Sequence, residues 1–273
     1  MRIEDLDPQR SRREYGELIM DDLQWLGLEW DGMPIYQSNR SDIYSAYLER
    51  LRQQGVVYEC HRTRADLLST MAPHESDGRV VVHREPLPAP PQEGGRPGVS
   101  GAAGTAVPTS GPAALRVEVP HRKVSITDGH YGPLTVDLYE QVGDFVVRRK
   151  DGAYAYQLAV VVDDALTGVT EVVRGRDLLL SAPQQTFLAK LLELPAPKYY
   201  HFPLLTNRAG QRLSKRDKSM DMSVLRYRHS AQEIIGYLGH LAGLLPKPTP
   251  MTPQQLLPLF SWDKVPREDI TVK

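Results

Sequence analysis

After residue 114 the chain reads as short β-branched runs separated by stretches of helical periodicity, and this alternation constrains the fold more than any other feature. Leu115–Val119, Val124–Thr127, Leu134–Leu138 and Phe145–Arg149 have turn signals between them and predict strands. Val169–Val173, running into Arg174-Gly175, predicts another, followed by a helix over 182–192 and a strand at 200–206. Helical patterns at 230–244 and 252–259 close the chain. Ahead of the alternation lie two amphipathic helices. Leu18, Ile19, Leu23 and Leu26 mark one over 11–27 that stops at Gly27; Ile43, Tyr44, Tyr47, Leu48 and Leu51 mark the next, with Ser41 as its N-cap and Gly55 as its stop. The stretch Trp30–Ser38 links them. Strands alternating with helices after an α-rich start predict an α/β fold with a parallel sheet. One segment stays open: within Tyr154–Asp164, the run Leu158–Val162 suits a buried strand or a buried helix equally.

The chain has 273 residues, 41% of them apolar, enough for one large domain or two modest ones and too much for a peptide module or a disordered tail. Lys and Arg number 33 against 34 Asp and Glu, so no chain-wide basic field holds nucleic acid, and any RNA contact must be local. A lone cysteine, Cys60, excludes an internal disulfide and any multi-thiolate zinc site of the chain's own, as suits a reducing cytoplasm. No apolar run reaches membrane-spanning length, and Met1 is followed by Arg-Ile-Glu-Asp rather than a hydrophobic signal. Residues 86–114 mix seven prolines with six glycines and almost no large apolar side chain; such a stretch cannot offset its ordering entropy by burial, which predicts a mobile insertion.

Three clusters carry chemistry. In Asn207–Asp217 a glycine turn is followed by Arg212, Leu213, Ser214, Lys215 and Arg216, a concentration of cations and a hydroxyl that suits a polyphosphate, although composition alone equally describes a solvated basic loop. At the start, Arg2-Ile3-Glu4-Asp5 places Glu4 where it could receive an ammonium group if folded inward. Arg174 ends an apolar strand, where open α/β sheets place ligand contacts, and its fork could pin a carboxylate or make a structural ion pair. Tyr156, in an otherwise apolar run, is by residue type more often a core aromatic than a substrate donor. Cys60-His61 does not make a zinc site, since His74 and His83 would have to complete it across Pro73 and a flexible stretch.

Taken in order, seven blocks resemble the class I glutamyl-tRNA synthetase family: Arg-Ile-Glu-Asp-Leu-Asp at 2–7, Leu-Gly-Leu-Glu-Trp-Asp-Gly at 26–32, Tyr-Gln-Ser-Asn-Arg at 36–40, Gly-Asp-Phe-Val-Val-Arg-Arg at 143–149, Tyr-Gln-Leu-Ala-Val-Val-Val-Asp-Asp at 156–164, Val-Thr-Glu-Val-Val-Arg-Gly at 169–175 and Arg-Leu-Ser-Lys-Arg at 212–216. The last looks like the KMSKS loop of that class. Only 57 residues follow Arg216, too few for helical anticodon-binding domains, and the wording of the second and fifth blocks is similar to the short branch, the glutamyl-queuosine tRNA(Asp) synthetases.

The resemblance implies a Rossmann-like catalytic core with a parallel sheet and a small helical C-terminal region. Residues 1–59 would be the remainder of the nucleotide-binding core, 60–130 an inserted subdomain, 131–206 a return to the core, and 207–273 the KMSKS-like loop and helical end. It implies that ATP, with Mg²⁺ on its phosphates, activates L-glutamate as glutamyl-adenylate, and that the glutamyl group passes to queuosine in the anticodon of tRNA(Asp). By the resemblance Glu4 faces the α-ammonium, Tyr156 and Arg174 hold the glutamate, Lys215 stabilises the pentacovalent phosphate, and Arg212, Leu213, Ser214, Lys215 and Arg216 form the ATP loop. A monomer in the cytoplasm is expected. The family's zinc cysteines are not matched beyond Cys60, so no zinc is expected. The family also begins with a strand, a Ser-Pro-Ser-Gly turn and a HIGH-type helix start; none of these is present here, which predicts a missing first strand and helix and a misassigned start codon. Two rivals stand beside this reading: a catalytic fragment of an ordinary glutamyl-tRNA synthetase, and a non-catalytic pseudo-synthetase that binds RNA or a protein.

Overall fold

The computed structural model describes residues 1–7, 11–62, 111–213 and 221–272. Strand β1 (Arg2–Ile3) leads to helix α1 (Arg13–Trp25), β2 (Ile35–Tyr36), α2 (Ser41–Gln53) and β3 (Val57–Cys60). Both helices stop as their sequences predict. Gly27 and Gly55 take φ of +77° and +70°, a region open to glycine, and the next amide turns back to the helix, Leu28 N to the Leu23 carbonyl at 2.9 Å. The second helix begins at Ser41, but Arg40 holds the cap position without a side-chain cap bond, because a 3₁₀ turn over Gln37–Arg40 runs straight into it.

Past residue 111 come β4 (Ala114–Val117), the hairpin of β5 (Lys123–Asp128) and β6 (Gly132–Asp137), a short helix α3 (Leu138–Gln141) and β7 (Phe145–Arg148). All four strands lie where the β-branched runs predict them. Next follow α4 (Tyr156–Leu166), β8 (Glu171–Gly175), α5 (Ser181–Leu191), β9 (Lys198–Phe202) and β10 (Leu205–Thr206). The open segment is therefore a helix. Every residue of α4 from Leu158 to Asp164 is buried, so no polar face remains to reveal its period. The strand expected over 200–206 is two strands, interrupted at Pro203, which has no N–H to donate to a ladder. Helices α6 (Met222–Arg228), α7 (Ala231–Leu241) and α8 (Pro253–Leu256) and strand β11 (Ile270–Thr271) complete the order.

Among the described residues, parallel pairing is present as three separate two-stranded pairs, β1 with β2, β8 with β9 and β10 with β11, rather than as one continuous sheet. Strands β3-β4-β7 and the β5-β6 hairpin pair antiparallel. Strands β1, β2 and β11 span two residues each, too short for a periodic signature. The mobile-insertion expectation for 86–114 lies outside the described residues except at its last four positions. No helix among the described residues is long and apolar enough to cross a membrane.

One core joins these parts. Tyr44, Leu48 and Leu51 of α2 pack with Val117, Val147, the Leu158–Val162 run of α4, and Leu188 of α5. Polar bonds fix how the Gln37–Arg40 turn and α2 approach α4. Asp163, fully buried, accepts from Gln37 Nε2 at 2.8 Å, Arg40 Nε at 2.7 Å and Tyr44 Oη at 2.7 Å. Its neighbour Asp164 receives the Arg2 guanidinium, which ties β1 to the same helix.

Candidate active site

The candidate site forms where β8 ends. Arg174, the last side chain before Gly175, is held on three sides: Nε donates to His201 Nε2 at 3.0 Å, one terminal nitrogen to Gln185 Oε1 at 2.8 Å, and the other to the Leu178 carbonyl at 3.2 Å. The guanidinium lies over the Tyr199 ring, 5.0 Å from its centroid. Gln185 is fixed in turn, donating to Gln157 Oε1 at 2.8 Å, while Gln157 donates to Gln184 at 3.0 Å. This amide ladder runs between α4 and α5 and gives Arg174 little freedom to turn.

Tyr156 opens α4 beside this cation. Burial, and next the Glu4 carboxylate, push its hydroxyl above the usual phenol range, whereas Arg174 draws it down; the group remains a neutral O–H donor at physiological pH. Tyr199 is pushed up to about 12, chiefly by burial, so it too keeps its proton. Glu4 is an exposed carboxylate oriented by Arg2 at 3.1 Å, and Arg2 is anchored on Asp164. The structure thus brings Glu4 and Arg174, widely separated in sequence, each within electrostatic reach of the Tyr156 hydroxyl. The arrangement combines a carboxylate, a phenol donor and a forked cation: groups suited to an amino acid's ammonium and carboxyl ends.

The predicted phosphate loop is described only at its base. Asn207 Oδ1 accepts from the Ala209 and Gln211 amides at 3.0 Å each, and Leu213 N returns to the Leu205 carbonyl at 3.0 Å. Arg212 is ion-paired with Asp177, the residue two past Gly175, which ties the loop base to the end of β8. Ser214, Lys215 and Arg216 lie outside the described residues. Cys60 is buried at the end of β3, and the 76–79 region also lies outside the described residues.

Sequence reasoning missed the supporting residues. His201 sits inside a predicted strand, and Asp128 follows another; a buried histidine in an apolar run was the available signal. Gln157 and Gln185 gave none, since a helical glutamine is ordinarily solvated.

Compared with known proteins, residues 1–235 match the family described as tRNA synthetases class I (E and Q), catalytic domain. Among curated relatives, the glutamyl-Q tRNA(Asp) synthetase of Nitratidesulfovibrio vulgaris is 40% identical across 97% of this chain and 82% of its own length. That of Symbiobacterium thermophilum is 38% identical across 100% and 84%. A solved glutamate tRNA ligase from Elizabethkingia meningosepticum, in complex with its amino acid, superposes with a TM-score of 0.75 at 22% identity, and one from Elizabethkingia anophelis with 0.77. The chain covers 60% of each of these two structures, which share its fold.

Proposed function

Because the chain belongs to the class I tRNA synthetases of the E and Q type, through their catalytic domain, we propose that it activates L-glutamate with ATP and transfers the glutamyl group to queuosine in the anticodon of tRNA(Asp). One observation carries the reading: Arg174, Tyr156 and Glu4 converge in a chain whose curated relatives at about 40% identity are named for that activity. In the first step a glutamate carboxylate oxygen bonds to the α-phosphorus of ATP and pyrophosphate leaves. In the second, a queuosine hydroxyl attacks the acyl carbon, losing its proton, and AMP leaves. The protein's part is to position groups and stabilise charge.

Arg174 receives a glutamate carboxylate with its remaining N–H donors, the Tyr156 hydroxyl donates to the substrate, and Glu4 accepts from the α-ammonium. Lys215 neutralises charge that builds on the phosphates, flanked by Arg212, Leu213, Ser214 and Arg216. In this reading Mg²⁺ arrives on the nucleotide phosphates, as that ion is commonly held. When bound, the ion would offset phosphate charge. The protein works in this reading as a cytoplasmic monomer.

The test supplies ATP, labelled glutamate and tRNA(Asp) with or without queuosine, then maps the label by nuclease digestion. Label confined to the anticodon fragment and dependent on queuosine is the expected result. Label on the 3′ terminal adenosine, or no transfer at all, refutes the proposal.

A further inference from the structure

His201 is fully buried, and nothing in the proposed chemistry uses it directly. Its two ring nitrogens nevertheless have defined roles. A guanidinium N–H can only donate, so at 3.0 Å from Arg174 Nε the His201 Nε2 atom must present its lone pair. The ring proton therefore sits on Nδ1, 2.6 Å from Asp128 Oδ2. An imidazolium, or the other neutral tautomer, would set Nε2–H against Nε–H.

Asp128 is in turn built to accept. Its Oδ1 takes the His130 amide at 3.0 Å, the Tyr131 amide at 2.8 Å and the His201 amide at 3.4 Å. Burial alone would raise this carboxyl; the Tyr131 amide and the His201 ring lead the contacts that hold it below the usual range. The carboxylate comes from the tip of the β5-β6 hairpin, within a segment remote from β8 in sequence. The tip docks directly on β9: Gly129 N donates to the Tyr199 carbonyl at 2.8 Å, and a Cβ on Gly129 would fall 1.9 Å from the Tyr200 ring.

His201, Gln185 and Leu178 occupy three of Arg174's five N–H groups, and the remaining edge lies beside the Tyr156 hydroxyl. We propose that Asp128 and His201 are positioning residues: the carboxylate selects the Nδ1–H tautomer, the lone pair on Nε2 holds Arg174 Nε, and the remaining edge of the guanidinium, with Tyr156, is thereby aimed at the substrate carboxylate. This rests on the reading of Arg174 as the glutamate receptor. The β5-β6 hairpin, rather than the parallel strands alone, then completes the amino-acid site.

The informative variant is Asp128→Asn, which keeps size but offers an N–H to His201 Nδ1 and so favours the opposite tautomer. Two readouts are taken on the full chain: long-range ¹H–¹⁵N NMR of His201, and steady-state kinetics of tRNA glutamylation with glutamate varied. The expected result is a change from Nδ1–H to Nε2–H together with a rise of about tenfold or more in glutamate KM, with kcat changed less than about threefold. His201→Gln, whose side-chain oxygen can reach the Nε2 position, should restore KM to within about threefold of the parent, whereas His201→Asn should not. A flipped tautomer with unchanged glutamate KM overturns the proposal, as does a raised KM with the tautomer unchanged or a loss confined to kcat. Arg174→Lys separates the two levels: if it leaves glutamate KM intact, the receptor reading itself fails, whereas a raised KM there beside a normal Asp128→Asn overturns only the positioning role.

Discussion

Replacing Asp163 with Asn removes one charge and almost no volume at the point where α4 meets the Gln37–Arg40 turn and α2. The side chain is fully buried; one oxygen accepts from both Gln37 Nε2 and Tyr44 Oη, and the other from Arg40 Nε. Asparagine can keep its oxygen toward Arg40 only by turning its NH₂ toward Gln37 and Tyr44. Gln37 can flip its amide and the tyrosine hydroxyl can accept, so both contacts can be rebuilt. What cannot be rebuilt is the countercharge of Arg40, whose side chain is only 17% exposed. Breaking a buried pair by removing one partner costs about 3–5 kcal/mol, and the retained hydrogen bonds put this variant near the lower figure. For a chain of this size about 3 kcal/mol corresponds to a fall in Tm of roughly 6–12 °C. Asp163→Ala, which strands three donors and opens a cavity, should fall further. Thermal and urea unfolding followed by circular dichroism measure both. Adding Arg40→Met to Asp163→Asn should recover part of the loss, because no uncompensated charge then remains buried. An Asp163→Asn protein within about 1 kcal/mol of the parent, with the same urea dependence, would refute the claim that this cluster clamps the layers together.

Three further outcomes follow from the same contacts. Gly129→Ala should destabilise the protein measurably and raise glutamate KM, because its Cβ would collide with the Tyr200 ring and lift Asp128 away from His201; a parent-like Tm and KM would show that the tip is free to shift. Arg174→Lys keeps the positive charge but loses the fork, and should weaken glutamate binding about tenfold or more and lower Tm by roughly a few degrees, because buried His201 and Gln185 lose their donor. Stability should also fall on acidification. Burial, reinforced by Arg174 and opposed by Asp128, depresses the folded pKa of His201 below 6.5, so the unfolded chain binds a proton first and stability is lost as pH drops from 6.5 toward the folded value. The slope of Tm against pH in that window should flatten in His201→Asn; an unchanged slope would assign the effect to other groups.

Much of the fold was legible because local patterns and tertiary needs agreed. The turn glycines after α1 and α2, the alternating strands from β4 to β7, and β8 with Arg174 at its end all carry signatures that act over a few residues. The glutamate-site residues were legible only as ordered blocks resembling a family, since Tyr156 and Glu4 taken singly look like a core aromatic and a solvated charge. Helix α4 was ambiguous for the opposite reason. Burial on every side erases the polar face that distinguishes a helical period from a strand's.

The sequence by itself determined the type of most of the longer elements other than α4, the nearly neutral overall charge, the lone cysteine and the place of the cationic loop, all of which depend on residue identity and short spacing. Tertiary structure alone decided that parallel pairing is divided among three short pairs, that Asp163 gathers donors from two other elements, and that a hairpin carboxylate fixes the proton on His201 beside Arg174. Such contacts join groups up to 126 residues apart, and a hydrogen bond leaves no periodic trace in either of the segments it connects.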